Sequence, residues 1–195
     1  MEHGAHDVHE GYQDTVYAER GVQFYRDCGI SGTVDFIFGN AIAVFQNCSL
    51  SARLPLAGQQ NVVTAQGRFN ANDSSGFVFQ FCTVIGDPRL GNTSTETYLG
   101  RPWKPYSRVL FMESYLDGII NPLGYLPWNG SIGINTLYYA EYNNKGVGAD
   151  VRHRVKWQGY HGIISPIEAG NFTVKKFIDG SEWIMGTGVP YTPGL

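Results

Sequence analysis

Short runs in which large apolar residues alternate with smaller or polar ones recur along this chain. Val22-Gln23-Phe24-Tyr25-Arg26-Asp27-Cys28-Gly29-Ile30 is followed by Ala43-Val44-Phe45-Gln46-Asn47-Cys48-Ser49-Leu50, and then by Phe77-Val78-Phe79-Gln80-Phe81-Cys82-Thr83-Val84 and Leu110-Phe111-Met112-Glu113-Ser114-Tyr115-Leu116. Each run leads through aromatic or aliphatic residues to a small Cys or Ser and one further apolar position, which is a strand pattern. Gly, Asn, Asp and Pro between the runs supply turns. The small residues fall at 28, 48, 82 and 114, at intervals of 20, 34 and 32 residues. An immunoglobulin-like sandwich or a jelly roll is the competing all-β arrangement, but neither requires the same small residue at the same point of every strand. A solenoid does, because each coil lies on the last and equivalent side chains stack in columns inside a narrow core. The expected fold is therefore all-β, a single-stranded parallel β-helix whose longer intervals hold projecting loops.

After about residue 117 the pattern weakens. Residues 121–130 read as loop, while 136–142 and Val155-Lys156-Trp157 read as two further strands. Ser165 and Pro166 fit the N-cap and N1 positions of a short helix. Residues 173–178 and Trp183-Ile184 are expected to pack against the solenoid as a loop and short-helix tail.

Length and composition add bounds. A chain of 195 residues with 43% apolar and 16% charged residues fits one domain with a real core and excludes disorder. A formal charge of −3 gives no electrostatic reason for a nucleic-acid or anionic-membrane partner. No apolar run approaches the ~18 residues of a membrane span.

Residues 1–10 hold three of the five histidines but no basic end or apolar segment, so they are not a signal peptide. No paired Cys or second cluster completes a metal site there. They are expected to form a mobile leader, with the domain spanning 11–195. Asn-x-Ser/Thr sequons at Asn47, Asn72, Asn92, Asn129 and Asn171 lean towards a secretory history. Three cysteines allow one disulfide and leave one thiol over. Neighbours in a column lie ~4.8 Å apart, inside the ~4.4–6.8 Å Cα range of disulfides, so either Cys28–Cys48 or Cys48–Cys82 is allowed.

Two features carry candidate chemistry. Asp14 and Asp35 stand 21 residues apart, one short coil, so stacking places them on adjacent rungs facing the same side. Carboxylates that close raise each other's pKa, leaving one suited to donate a proton and the other to attack. Turn-capping, in which an aspartate accepts backbone N–H bonds, fits the spacing equally well. The second feature is Tyr98-Leu99-Gly100-Arg101-Pro102-Trp103, where Arg101 is placed to hold a carboxylate and Trp103 to stack on a sugar ring. A packed loop with an exposed arginine is its plainer reading.

Gly11-Tyr12-Gln13-Asp14-Thr15-Val16-Tyr17, Gly32-Thr33-Val34-Asp35-Phe36-Ile37-Phe38-Gly39-Asn40 and the Arg101 block together resemble the signature blocks of pectin methylesterases. Asn61-Val62-Val63-Thr64-Ala65-Gln66-Gly67-Arg68 and Thr136-Leu137-Tyr138-Tyr139-Ala140-Glu141-Tyr142 extend the resemblance to the plant type, from about residue 11 to the C-terminus. The resemblance implies a right-handed β-helix, secreted to the cell wall, that removes methyl esters from homogalacturonan without metal or cofactor. It implies that Asp35 is the nucleophile, Asp14 the general acid and then base, Gln13 an oxyanion-hole amide and Arg101 the group orienting Asp35. Trp103, Tyr17 and Phe38 would line the sugar cleft. It favours Cys48–Cys82 as the disulfide, and pectin as partner, with a proteinaceous pectinesterase inhibitor as a candidate second one.

Departures from the pattern set further expectations. An early Gly-x-Tyr-x-Glu segment and a segment with a second oxyanion-hole glutamine are not found, so the chain reads as N-terminally truncated, lacking the first coils. Asp7 stands where a family cysteine would lie, and Tyr125 where the family has tryptophan. An exposed first rung is expected to lower stability and favour self-association. A catalytically impaired fragment that only binds pectin is the alternative function. A glycosidase or lyase on the same fold is the third, without the calcium-binding acid cluster or lysine base a lyase would favour.

Overall fold

The computed structural model describes residues 1–91 and 93–195. Among the described residues, sixteen strands form three parallel sheets. The first sheet runs, in spatial order, β1 (Glu2–Ala5), β4 (Val22–Arg26), β7 (Ile42–Gln46), β10 (Gly76–Gln80), β13 (Arg108–Met112), β15 (Tyr138–Tyr142) and β16 (Tyr160–Ile163). The second runs β2 (Val8–Glu10), β5 (Gly29–Gly32), β8 (Ser49–Ala52), β11 (Thr83–Gly86) and β14 (Tyr115–Leu116). The third runs β3 (Val16–Tyr17), β6 (Ile37–Gly39), β9 (Asn61–Gln66) and β12 (Thr97–Gly100). The chain visits the three sheets in turn and begins again one rung on, so the parallel β-helix expected from the repeat is the fold.

The repeat and the register coincide. Tyr25 pairs with Phe45, Phe45 with Phe79 and Phe79 with Phe111. Their rings form one stack, with centroids 4.5, 4.7 and 4.6 Å apart and interplanar angles of 7°, 11° and 12°. Such offset contacts contribute about 0.5–1.5 kcal/mol each beyond area burial. Where the first sheet hands over to the second, His6, Asp27, Asn47, Phe81, Glu113 and Asn143 take φ between 49° and 59°, one per coil. A single left-handed residue turns the corner there, a conformation Asn and Asp tolerate best. Asn47 Nδ2 donates to Asp27 Oδ1 at 2.6 Å, linking two such corners.

Cys28, Cys48, Cys82 and Ser114 line the next column inside the core, as expected from their spacing, and all four are buried. The Cys48–Cys82 disulfide is not formed, and all three cysteines are free thiols. Each sulfur is instead turned to a carbonyl of the preceding coil: Cys28 Sγ to Gly4 O at 3.6 Å, Cys48 Sγ to Tyr25 O at 3.6 Å and Cys82 Sγ to Phe45 O at 3.2 Å. The adjacent Cys48 sulfur and burial push the Cys28 thiol far up, which keeps it un-ionised and unreactive.

Two other expectations need correction. Residues 1–10 do not form an unattached leader: β1 pairs with β4 and β2 with β5, making the first coil. Their alternating residues take part in the ladder despite the polar composition. Val155-Lys156-Trp157 is not a strand; Val155 N donates to Leu123 O at 3.1 Å, and the last rung is β16 instead.

The tail behaves as expected. Ser165 caps α1 (Pro166–Ala169), its hydroxyl accepting from Glu168 N while the Glu168 carboxylate accepts from Ser165 N. With α2 (Val174–Phe177) and α3 (Gly180–Trp183) it covers the outer face of the first sheet, where Val174, Ile178 and Ile184 join Val44, Val78 and Leu110 in a second apolar cluster. At the far end Arg154 and Glu141, each almost fully buried, pair at 2.8 Å.

Candidate active site

Asp14 and Asp35 each lie two residues before a strand of the third sheet. Those strands pair Val16 with Ile37 and Tyr17 with Phe38, so the two aspartates occupy equivalent positions in consecutive coils. Backbone bonds from Asp14 N to Val34 O at 3.1 Å and from Val16 N to Phe36 O at 2.9 Å hold the turns together. Both aspartates are left-handed, with φ of 57° and 53°. Asp35 is 4% exposed, whereas Asp14 and its neighbour Gln13 face solvent.

Arg101 reaches this pair from the end of β12. Gly100 makes that approach possible: a Cβ there would lie 2.2 Å from Thr64 Oγ1. Arg101 N donates to Thr64 O at 2.9 Å, which fixes the backbone, and the side chain then crosses to Asp35. Nε donates to Oδ1 at 2.8 Å and Nη2 to Oδ2 at 2.6 Å, a bidentate fork. Sequence reading placed Arg101 next to a carboxylate, and it is there.

Trp128 was missed. Its ring lies over the Arg101 guanidinium, 4.4 Å from Cζ to centroid, in a stretch, residues 121–130, expected to be loop. That segment is a partial rung of the third sheet, bridging Thr97 to Ile120 and Gly100 to Tyr125. The available signal was Gly124 followed by Tyr125 and Trp128, an aromatic spacing one irregular coil beyond Arg101.

Aromatic residues continue outward from the pair. Tyr17 and Phe38 stack at 4.5 Å and 4°, and Phe38 meets Trp103 edge-on at 6.1 Å and 66°. Lys104 Nζ sits 5.2 Å from the Trp103 ring. All three aromatic residues expected to line a cleft thus share one surface.

Both carboxyls are held above the ordinary carboxylate value, by different balances of forces. Burial raises Asp35, and the Arg101 guanidinium pulls it back by hydrogen bond and charge. Asp14 is raised by partial burial and then by the negative charge of Asp35, with Arg101 opposing. A carboxylate locked in a fork and a more exposed carboxyl biased towards its protonated form, at matched positions of consecutive coils, can serve as nucleophile and proton donor. Among the described residues no group of three or more His, Cys, Asp or Glu is placed to hold a metal ion.

The family model described as Pectinesterase matches residues 6–181. The chain belongs to the pectinesterase family. Over 188 residues it is 54% identical to Pectinesterase 2.2 of Solanum lycopersicum, covering 95% of this chain and 34% of that protein. It is 52% identical to the probable pectinesterase/pectinesterase inhibitor 7 of Arabidopsis thaliana, covering 95% of this chain and 32% of that one. The solved pectin methylesterase from carrot superposes with a TM-score of 0.95 at 46% identity, covering 96% of this chain and 60% of the other. The chain thus spans about a third of the length of these curated pectinesterases.

Proposed function

We propose that this chain carries the reacting groups of a carboxylic ester hydrolase that removes methyl esters from homogalacturonan, releasing methanol and pectate. The observation that supports it most is the Arg101–Asp35 fork beside Asp14, inside a chain of the pectinesterase family. In this reading the Asp35 carboxylate attacks the C6 carbonyl of a methyl galacturonate, forming a C–O bond to the enzyme. The carbonyl oxygen becomes an oxyanion that the Gln13 amide stabilises, an effect worth about 2.7–4 kcal/mol in comparable sites. Asp14 gives its proton to the departing methoxy oxygen, so methanol leaves and an acyl-enzyme remains. The Asp14 carboxylate then takes a proton from water, whose oxygen attacks the acyl carbon and frees Asp35. Arg101 holds Asp35 in the attacking orientation, and Tyr17, Phe38, Trp103 and Trp128 offer flat faces to successive sugar rings.

The setting follows from the same reading. Plant pectinesterases act on the cell wall, so we place this protein outside the cell. The sequons at Asn47, Asn72, Asn129 and Asn171 are solvent-exposed, while Asn92 lies outside the described residues. No helix is long and apolar enough to cross a membrane among the described residues. The name of the Arabidopsis relative supports a proteinaceous pectinesterase inhibitor as a partner.

The test is methanol release from highly methyl-esterified pectin, parent chain against Asp35→Asn. Methanol from the parent alone supports the reading. Pectin binding without methanol points to an impaired fragment, and shortened or unsaturated chains point to a glycosidase or lyase.

A further inference from the structure

Arg53 follows β8, one coil beyond Asp35, and among the described residues makes no hydrogen bond or ion pair with either aspartate. Its backbone N donates to Gly32 O at 2.8 Å. Its guanidinium reaches past that coil to the next: Nη1 donates to Gly11 O at 3.0 Å, and Cζ lies 4.5 Å from the centroid of the Tyr12 ring. Gly11 and Tyr12 lead directly into Gln13 and Asp14, and Gly32 leads into the Asp35 turn. One residue of the third coil therefore touches the approach to both carboxyls, by its side chain at Gly11-Tyr12 and by its backbone at Gly32. Arg53 is itself fixed from behind, because the wholly buried Asn61 donates from Nδ2 to Arg53 O at 2.9 Å.

The approach to Asp14 has little else to hold its outer side. Tyr12 is 57% exposed, so no core defines where its ring lies. Its carbonyl accepts from Thr33 N at 2.7 Å, and the Thr15 hydroxyl donates to Ser31 O at 3.1 Å, which ties the inner side only. The two turns are in close contact there: a Cβ on Gly32 would lie 2.7 Å from Tyr12 O and 2.3 Å from Phe36 Cβ. Asp14 meanwhile holds a left-handed conformation at the surface, which a looser segment would relax.

We propose that Arg53 is a positioning residue: by hydrogen bond and cation–π contact it clamps Gly11-Tyr12 so that Gln13 and Asp14 are presented to Asp35. The proposal rests on the reading of Asp14 and Asp35 as the reacting pair. It acts through geometry, since the charges bearing on Asp14 are those of Asp35 and Arg101, whereas Arg53 faces Tyr12 and Asp87.

In the 195-residue chain, Arg53→Ala is expected to lower kcat about tenfold with KM for pectin changed less than about twofold, the signature of displaced reacting groups. Arg53→Lys keeps a cation over Tyr12 and is expected to recover most of the loss, Tyr12→Phe to match the parent and Tyr12→Ala to match Arg53→Ala. A loosened turn also exposes Asp14 to water, so the alkaline limb of kcat/KM is expected to move to lower pH in Arg53→Ala. An unchanged kcat, or a loss in kcat and KM together that lysine does not rescue, overturns the clamp. If the parent releases no more methanol than Asp35→Asn, the esterase reading fails, and hydrogen exchange then decides the clamp alone. Exchange accelerated about tenfold or more over residues 11–17 but not over β7 upholds it; unchanged or chain-wide exchange sinks it.

Discussion

Asp14 and Asp35 are matched residues of consecutive coils, and both hold the left-handed conformation, at φ 57° and 53°. A left-handed non-glycine residue costs about 1–2 kcal/mol, and Asn and Asp bear that cost most easily. The proposed reacting pair is thus built on two strained turns that the stacked coils hold in place, a pattern found where geometry serves chemistry. Asp35→Asn is therefore expected to keep the fold while lowering methanol release on the order of 10³-fold or more. Asp35→Ala is expected to lose activity equally but to melt lower than Asp35→Asn, because alanine adds the backbone cost. Equal melting temperatures for the two variants would remove the strain from this account.

Asp14 gives a stability prediction with a definite sign. Its folded-state pKa is raised above 3.8, by burial first and then by Asp35. The folded chain therefore holds this proton more tightly than the unfolded chain does. The stability so contributed is full below the ordinary carboxylate range and is lost as pH rises through the raised value. At neutral pH an ionised Asp14 works against folding. Asp14→Asn, which tolerates the same backbone, is expected to melt at or slightly above the parent at pH 7, with the advantage gone below about pH 4. Thermal melts of both proteins from pH 3 to 8 check this, and a parent more stable than the variant at pH 7 would contradict it.

What the sequence disclosed is what periodicity encodes. The column at 28, 48, 82 and 114 gave the coil, and the coil brought Asp14 to Asp35. Arg101 was legible because glycine, proline and tryptophan around it mark a stiff loop. The partial rung at residues 120–128 was not legible, since single bridges at Ile120 and Tyr125 leave no alternating run to read. Trp128 was lost with it. Residues 1–10 misled because His and Glu suggest solvent, although a strand at the end of a stack is held mainly by backbone bonds to one neighbour. The cysteine column was placed correctly, but spacing within a column says which sulfurs are neighbours and not whether they are joined.

Trp128 over Arg101 predicts a second-tier effect on the reaction. A partly desolvated cation–π contact is worth about 1 kcal/mol, roughly fivefold in rate or binding. Trp128→Ala is expected to lower kcat/KM by about that factor or somewhat more, with Asp35 still in its fork, and Trp128→Phe to lose less. Kinetics on methyl-esterified pectin measure both. A Phe variant as impaired as Ala would assign Trp128 to packing of the loop, not to the guanidinium.

The buried pair at the end of the solenoid offers the largest effect on stability. Arg154 donates from Nε and Nη2 to both Glu141 oxygens at 2.8 and 3.2 Å, and also to Gly148 O at 2.6 Å and Pro122 O at 3.2 Å. Tyr160 OH donates to Glu141 Oε1 at 3.0 Å, so the carboxylate is bonded on every side. Glu141→Gln leaves a full positive charge in the interior without its counter-charge, a change that typically costs about 3–5 kcal/mol. In a chain of this size that lowers the melting temperature by about 6–20 °C. Replacing both partners with apolar residues removes the stranded charge, so Glu141→Leu with Arg154→Met is expected to recover much of the loss. Recovery should be incomplete, because Pro122 O and Gly148 O lose a donor. Pro122 belongs to the segment that carries Trp128, so the double variant should also show a raised KM for pectin at near-parental kcat. A double variant no more stable than Glu141→Gln would mean that the arginine's bonds to the two carbonyls, and not its charge balance, hold this end of the helix closed.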